Sequence, residues 1–477
     1  MTKTHEMIPG ARRLIGSLRD LGYDFVSAVA DIVDNSISAH AKTVSINVHF
    51  AGDDSWVCVA DDGDGMSPAA LREAMRYGAD RSYESDELGK FGLGLKTASM
   101  SQCQRLIVAT RSGQSRARIT AYCWDLSHIA KTNRWEITAV DTKTFKPDLA
   151  LTLRASTGTV VLWQRLDRIL AYQYGKSAKN RIAGMCRELE QHLAMVFHRF
   201  LAGEVRGKRL TILLNGNPIR PWDPYARHEL RTVALEQQSI EVENGATSST
   251  VTISPYVLPA QALFSTPAAF NASAGPRKWN RQQGLYIYRA DRLIQSGGWS
   301  GLRTLDEHTK LARIAISFGT DLDETFKINV AKMKVQLPPA LRTALLESLG
   351  PVIKRANKAY RENSKSSEKS TQNPNADRTP PPKPLPPNSR EFHTKTITTF
   401  DIRKSAESET TQLNAYEPRK IDCVEIAQLE AAFKIIADNA TPEEAKVLMP
   451  LVDRIKRQAG LQQHLNIEQD SDNVNFA

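Results

Sequence analysis

Three short stretches decide the fold: Asp31-Ile-Val-Asp-Asn35, Asp61-Asp-Gly-Asp-Gly65-Met66 and Gly89-Lys-Phe-Gly-Leu-Gly94-Leu-Lys96-Thr97. The first lies within Tyr23 to His40, where Phe25, Ala28, Val29, Ile32, Val33 and Ile37 recur at helical spacing. Asp31 and Asn35 are one turn apart on such a helix and share a face. A carboxylate and an amide side by side suit a water and a metal ion. The second stretch follows the apolar run Trp56-Val-Cys-Val-Ala60, which reads as a strand, and turns sharply through Gly63 and Gly65. Asp61, at the strand's end, is placed to accept a hydrogen bond. The third stretch is glycine-rich and opens into a helix. Its bare backbone N–H groups suit phosphates, with Lys96 as a charge partner.

Each stretch alone has an ordinary explanation: surface or capping residues, a tight turn, a glycine loop. Together, in this order and spacing, they resemble the three nucleotide-site boxes of the GHKL ATPases. That superfamily holds gyrase B, MutL, the ninety-kilodalton heat-shock chaperones, histidine kinases and MORC proteins. Thr157-Gly-Thr159-Val-Val-Leu-Trp163 resembles the strand that closes the site and binds phosphate near its Thr, here Thr159. The chain reads as α+β in four parts, the first two implied by the resemblance and the last two read from composition and spacing. Residues 1–170 are a Bergerat-fold α/β sandwich ATPase domain and 171–360 an S5-like α/β transducer domain. A disordered Pro-rich linker covers 361–400, and a small helical region covers 401–477. Within the superfamily the chain resembles MORC in particular, by Gly89 to Met100 and by Arg292-Leu-Ile294.

The resemblance also distributes roles. Asp61 accepts the adenine amino proton, Gly63 and Gly65 let the base approach, and Met66 packs on it. Asn35 binds Mg²⁺. Gly89, Lys90, Phe91, Gly92, Leu93, Gly94, Lys96 and Thr97 surround the phosphates, and Asp31 takes the place of the general base. Gyrase, MutL and MORC carry Glu there. Asp is one methylene shorter, a retraction of about 1 Å that can cost about 10²-fold in rate. Slow hydrolysis of ATP to ADP and phosphate is therefore expected. Asp34, about 300° round the helix from Asp31, is the less favoured base. A second departure is Ser38, where many relatives have Asp. Phe326 to Val335 is similar to the loop that brings a lysine onto the γ-phosphate. Lys334 matches it without a gap, Lys332 with two residues missing, and the choice stays open.

Between Met66 and Gly89 the family places a lid over ATP; Arg81, Ser82 and Lys90 are its candidate phosphate contacts. Strands are expected at Thr43 to Phe50, Arg105 to Thr110, Arg116 to Trp124, Leu210 to Leu214, Thr250 to Val257 and Gly284 to Ile294, with a long helix from Lys176 to Leu201. Arg277, Lys278, Trp279 and Arg281, and onward Tyr286, Tyr288, Arg289 and Arg292, interleave basic and aromatic residues. That mixture suits a nucleic-acid backbone with rings for unpaired bases. Core aromatics alternating with solvated charges explain it equally well.

The chain has 477 residues and a formal net charge of +10, a bias toward a polyanionic partner that a basic tail would also produce. Its five cysteines are scattered without CxxC or His pairing, which suits reduced thiols rather than a zinc site. No apolar run reaches membrane-spanning length and no signal-peptide core is visible, so a cytoplasmic protein without membrane partners is expected. Pro380 to Pro387 should be extended polyproline, and Val424 to Ala437 with Pro442 to Gly460 reads as a helical pair for docking protein partners or for oligomerisation. The expected function is an ATP-driven, Mg²⁺-dependent switch that dimerises on ATP and acts on DNA, with restriction or phage defence as the setting suggested by analogy. A chaperone-like ATPase acting on protein clients and an ATP sensor that barely hydrolyses are the alternatives. A histidine kinase is disfavoured, because that class has Asn where Asp31 stands.

Overall fold

The computed structural model describes residues 9–20, 23–78, 94–113, 118–142, 153, 156–169, 175–244, 247–328, 335–370 and 394–401. All belong to one compact unit, Met1–Ser405. Residues 79–93, which hold the phosphate loop and the lid candidates Arg81, Ser82 and Lys90, lie outside the described residues, as do Lys332, Lys334 and the helical pair expected beyond residue 424; the first part of the expected lid, 67–78, is described.

The chain begins with α1 (Ala11–Arg19), α2 (Phe25–Ser38), β1 (Thr43–His49), β2 (Trp56–Asp61), α3 (Pro68–Met75) and α4 (Gly94–Met100). Then come β3 (Arg105–Arg111), β4 (Thr120–Asp125), α5 (Leu126–Thr132), β5 (Thr138–Ala139) and β6 (Gly158–Gln164), followed by α6 (Gly175–Val196), α7 (His198–Leu201), β7 (Thr211–Leu214) and β8 (Asn217–Pro218). Their strands form an eight-stranded sheet in the order β5-β4-β3-β6-β2-β1-β7-β8. Only β1 and β7 run parallel among these pairs. Period-two alternation gives the sheet two buried faces. Val57, Val59, Leu106, Val108, Val161 and Trp163 join the core under α1, α2, α4 and α6, while Cys58, Ala60, Ile107, Ala109, Val160 and Leu162 form a second cluster on the opposite face.

The second half starts with β9 (Val233–Ala234), β10 (Gln237–Asn244), β11 (Thr247–Val257), α8 (Pro267–Ser273) and α9 (Lys278–Gln282). It continues through β12 (Gly284–Arg289), β13 (Arg292–Ser296), β14 (Ala312–Phe318), α10 (Pro339–Ser370) and β15 (Thr394–Asp401). The sheet order is β13-β12-β14-β11-β10-β15, with β9 on β11. Leu285 and Ile287 of β12 face the core that includes α10, and Tyr286 and Tyr288 face the other side.

Two sequence expectations shift. The first domain does not stop at residue 170, because α6 supplies Leu189 and Leu193 to its core and β7 pairs with β1, burying Ile212 and Leu214. The stretch 361–400, expected as linker, is helical to Ser370 and returns as β15 alongside β10.

α2 is the element around which the first domain packs. Asp24 caps it, accepting the Ser27 N–H at 2.7 Å, an interaction typically worth about 1 kcal/mol. Every α2 residue except Asn35 and Ser38 is buried. A helix buried nearly all round carries its polar residues for a reason, since each must find a partner or a ligand.

Candidate nucleotide site

Asp61 ends β2 as a nearly buried carboxylate. Its Oδ1 accepts the backbone N–H groups of Gly63 at 3.0 Å and Thr159 at 3.1 Å, and its Oδ2 accepts the Ser36 hydroxyl at 2.9 Å. Burial raises its pKa above the usual carboxylate value, against the three hydrogen bonds, which lower it. Three of about four acceptor positions on the carboxylate are thus engaged by the protein, leaving room for one more donor. Ser36 ties this residue to α2.

The antiparallel register of β2 on β6 sets Thr159 directly across from Asp61. Thr159, which its motif placed near phosphate, therefore stands beside Asp61 and donates its N–H to that carboxylate. Its Oγ1 lies 3.2 Å from Thr110 Oγ1, and Thr110 Oγ1 also accepts the Met66 N–H at 2.9 Å. Met66 is half-buried against the first core.

The two turn glycines have a reason within the protein. A Cβ on Gly63 would stand 2.5 Å from the Ala39 carbonyl oxygen. One on Gly65, where φ is +67°, would stand 2.0 Å from the Arg111 carbonyl oxygen. The turn is glycine-rich because two other segments pass against it, and any room for a base is additional.

One and a half turns back on α2, Asp31 is 2 % exposed. Its Oδ2 accepts the Tyr23 hydroxyl at 2.8 Å, and Tyr23 also hydrogen-bonds Thr97 of α4. Burial and the neighbouring Asp31 carboxylate hold the Tyr23 pKa well above its ordinary range, so it stays a hydroxyl donor. Gly94, the first residue of α4, is close by: a Cβ there would stand 3.4 Å from Asp31 Oδ2. Asn35 is exposed, unlike its neighbours on the helix. The start of α4, Asp31 and Asn35 thus lie around one edge of α2, and Asp61 lies against the same helix through Ser36.

Lys96 was expected to meet phosphate, yet its ammonium group donates to the Ala74 carbonyl at 3.0 Å, in the last turn of α3. Carbonyls there lack helical donors and attract a cation. Burial lowers the Lys96 pKa to about 8, opposed by Glu73.

Asp34 departs from its expected place apart from Asp31. Three positions along a helix amount to about 300° one way and about 60° the other, and both carboxylates meet the same guanidinium. Arg292 Nε donates to Asp34 Oδ1 at 2.8 Å, and Arg292 Nη2 lies 4.0 Å from Asp31 Oδ1. The nucleic-acid reading of the segment around Arg292 fails for four residues. Tyr286, Tyr288, Arg289 and Arg292 are all buried. Tyr288 shares its hydroxyl with His198 and Tyr225, and Arg289 pairs with Asp323. Trp279 stacks on Phe270. Arg277, Lys278 and Arg281 remain on the surface.

Tyr23, Ser36 and Thr110 were not singled out from the sequence. Ser36 adjoins the Asp-Asn stretch, but nothing in its spacing signals a bond to a strand end. Among the described residues no cluster of three or more His, Cys, Asp or Glu could hold a metal ion. An exposed amide such as Asn35 fits an ion whose remaining ligands are phosphate oxygens and waters. No helix among the described residues is long and apolar enough to cross a membrane.

Comparison with known proteins agrees with this geometry. Residues 23–159 match the family of histidine kinase-, DNA gyrase B-, and HSP90-like ATPases. ATPase MORC2A of Mus musculus and ATPase MORC2 of Homo sapiens are each 34 % identical to this chain over 89 residues, which is 18 % of this chain and 9 % of theirs. Protein MICRORCHIDIA 2 of Arabidopsis thaliana is 34 % identical over 90 residues, 18 % of this chain and 14 % of that protein. The match thus spans a small part of each relative. Residues 23–159 of this chain are a GHKL-type ATPase domain, similar in sequence to the MORC ATPases.

Proposed function

We propose that the chain binds ATP with Mg²⁺ and hydrolyses it slowly to ADP and phosphate, as a conformational switch. One observation carries the reading: α2 brings the Asp31 carboxylate to the first residue of α4, exposes the Asn35 amide a turn away, and holds Asp61 through Ser36. Asp61 accepts the adenine amino group at its remaining acceptor position. Asn35 is the chain's ligand for Mg²⁺, which when bound offsets phosphate charge. Asp31, oriented by the Tyr23 hydroxyl, takes a proton from water as the water oxygen bonds to the γ-phosphorus and the bond to the bridging oxygen breaks. Lys332 or Lys334 supplies a compact positive charge to the γ-phosphate. The short Asp side chain keeps the rate low.

ATP-dependent dimerisation, an S5-like transducer role for the second half, and action on DNA belong to the same proposal, with restriction or phage defence as its setting. The DNA partner is supported by the net charge of +10 and by Lys354, Arg355, Lys358 and Arg361, all exposed on α10. A second reading, the ATP sensor, is favoured by how deeply Asp31 is buried.

Steady-state ATP hydrolysis by wild type and Asp31→Asn, with and without duplex DNA at two salt concentrations, tests both. Turnover lost in the variant and raised by DNA at low salt supports the DNA-coupled ATPase. Tight ATP binding without turnover supports the sensor. Turnover indifferent to the substitution and to DNA overturns the proposal.

A further inference from the structure

Arg292 stands in β13, 258 residues beyond Asp34, yet its guanidinium is buried against α2. One arm is committed to Asp34 and the other is turned toward Asp31. The Phe197 ring lies 5.9 Å from the guanidinium carbon. His192 of α6 also feels Arg292; burial first, and then that positive charge, lower its pKa to about 4, so it brings no second cation at neutral pH. Asp24, Arg277 and Asp34 are the further charged groups acting on His192.

The energetics of this arrangement are asymmetric. Two carboxylates three residues apart on one buried helix repel each other, and each is costly to keep ionised without a cation. A planar guanidinium can serve both at once, which an ammonium group cannot do with the same geometry. Withdrawing it would remove the group that holds both carboxylates in place beside the start of α4.

We propose that Arg292 is a positioning residue for the ATPase site: through Asp34 it fixes the seat of α2, and through its second arm it keeps Asp31 aimed, so that the site is complete only while β13 is docked against α2. The inference rests on the reading of Asp31 as the base. It gives the second sheet a direct hold on the chemistry through a residue that touches no nucleotide. A movement of β13 away from α2 turns the site off without disturbing Asp61 or the adenine contact.

The test uses the full chain with Arg292→Met, Arg292→Lys and Asp34→Asn, each alone, and Arg292→Met combined with Asp31→Asn. The readouts are kcat, the Kd for ATP, and hydrogen exchange of the α2 amides without nucleotide. Arg292→Met should lower kcat by about 30-fold or more, leave the Kd for ATP within about threefold, and speed α2 exchange about tenfold. Arg292→Lys, which keeps the charge and loses the fork, should fall between. In the Asp31→Asn background, Arg292→Met should cost nothing further in residual turnover, because its effect passes through Asp31. An equal loss in both backgrounds, or kcat within about threefold of wild type, overturns the proposal. Should Arg292→Met fail to fold, Asp34→Asn and Arg292→Lys carry the same comparison. If wild type shows no turnover, the reading of Asp31 falls and the exchange data decide the clasp by themselves: unchanged α2 protection in Arg292→Met and Asp34→Asn overturns it, and faster exchange confined to α2 supports it.

Discussion

Asp61→Asn separates the folding role of the site from its binding role. The substitution keeps size and shape. The amide oxygen can still accept the N–H groups of Gly63 and Thr159, now at 3.0 and 3.1 Å from Oδ1. The new NH₂ group would face the Ser36 oxygen, 2.9 Å from Oδ2, and that hydroxyl can turn its proton toward the Ile32 carbonyl, already 3.3 Å away. No buried polar group is orphaned, so the fold should survive. Stability should in fact rise at neutral pH. Burial raises the carboxyl pKa in the folded state, so the folded chain holds the proton more tightly than the unfolded chain, whose Asp titrates near about 3.9. That contribution favours folding below the unfolded value and is lost as pH rises through the raised folded value. The amide never ionises and escapes the loss. Nucleotide binding should move the other way. An adenine amino group would lose a charged acceptor and meet a donor, a cost of about 2 to 4 kcal/mol, or roughly 30- to 700-fold in Kd. Thermal unfolding at pH 4 and pH 7 with ATP titration by calorimetry measures both. Wild-type ATP affinity in the variant would refute the adenine assignment, and a variant less stable than wild type at pH 7 would refute the account of the buried charge.

Two other perturbations follow from the same packing. Gly65→Ala places a methyl group 2.0 Å from the Arg111 carbonyl oxygen at a φ of +67°, so it should destabilise by about 2 kcal/mol or more and lower Tm with or without nucleotide, as thermal melts would record. Lys96→Met removes a lysine whose folded pKa of about 8 lies below the unfolded value of about 10.4. The lysine's contribution is fully present above the unfolded value and lost as pH falls toward 8, so the variant should gain on wild type in urea melts as pH drops from 10 to 7; equal stabilities across that range would contradict the buried, desolvated ammonium.

Much of the first domain is legible along the chain because its logic is local. The apolar spacing of Phe25 to Ile37 specifies a helix, the run before Asp61 a strand, and Gly63 and Gly65 a turn that side chains would block. Order and spacing of the three stretches were enough to point to an ATP site. The tertiary structure decided what those residues do for one another. Asp61 meets Ser36 and Thr159, 25 and 98 positions away, only because α2 packs beneath the sheet and β6 lies antiparallel to β2. Tyr286, Tyr288 and Arg289 read as well for a nucleic-acid surface as for a core, since alternation along a strand does not say which face is covered; Gln282 and Arg313 engage Tyr286, His198 of α7 engages Tyr288, and Asp323 engages Arg289. Arg292 shows the same limit most clearly. Its charge and its motif were visible from the start, but a guanidinium finds its partners through space, and the two carboxylates that fix its meaning sit in a helix folded against β13 from the other end of the unit.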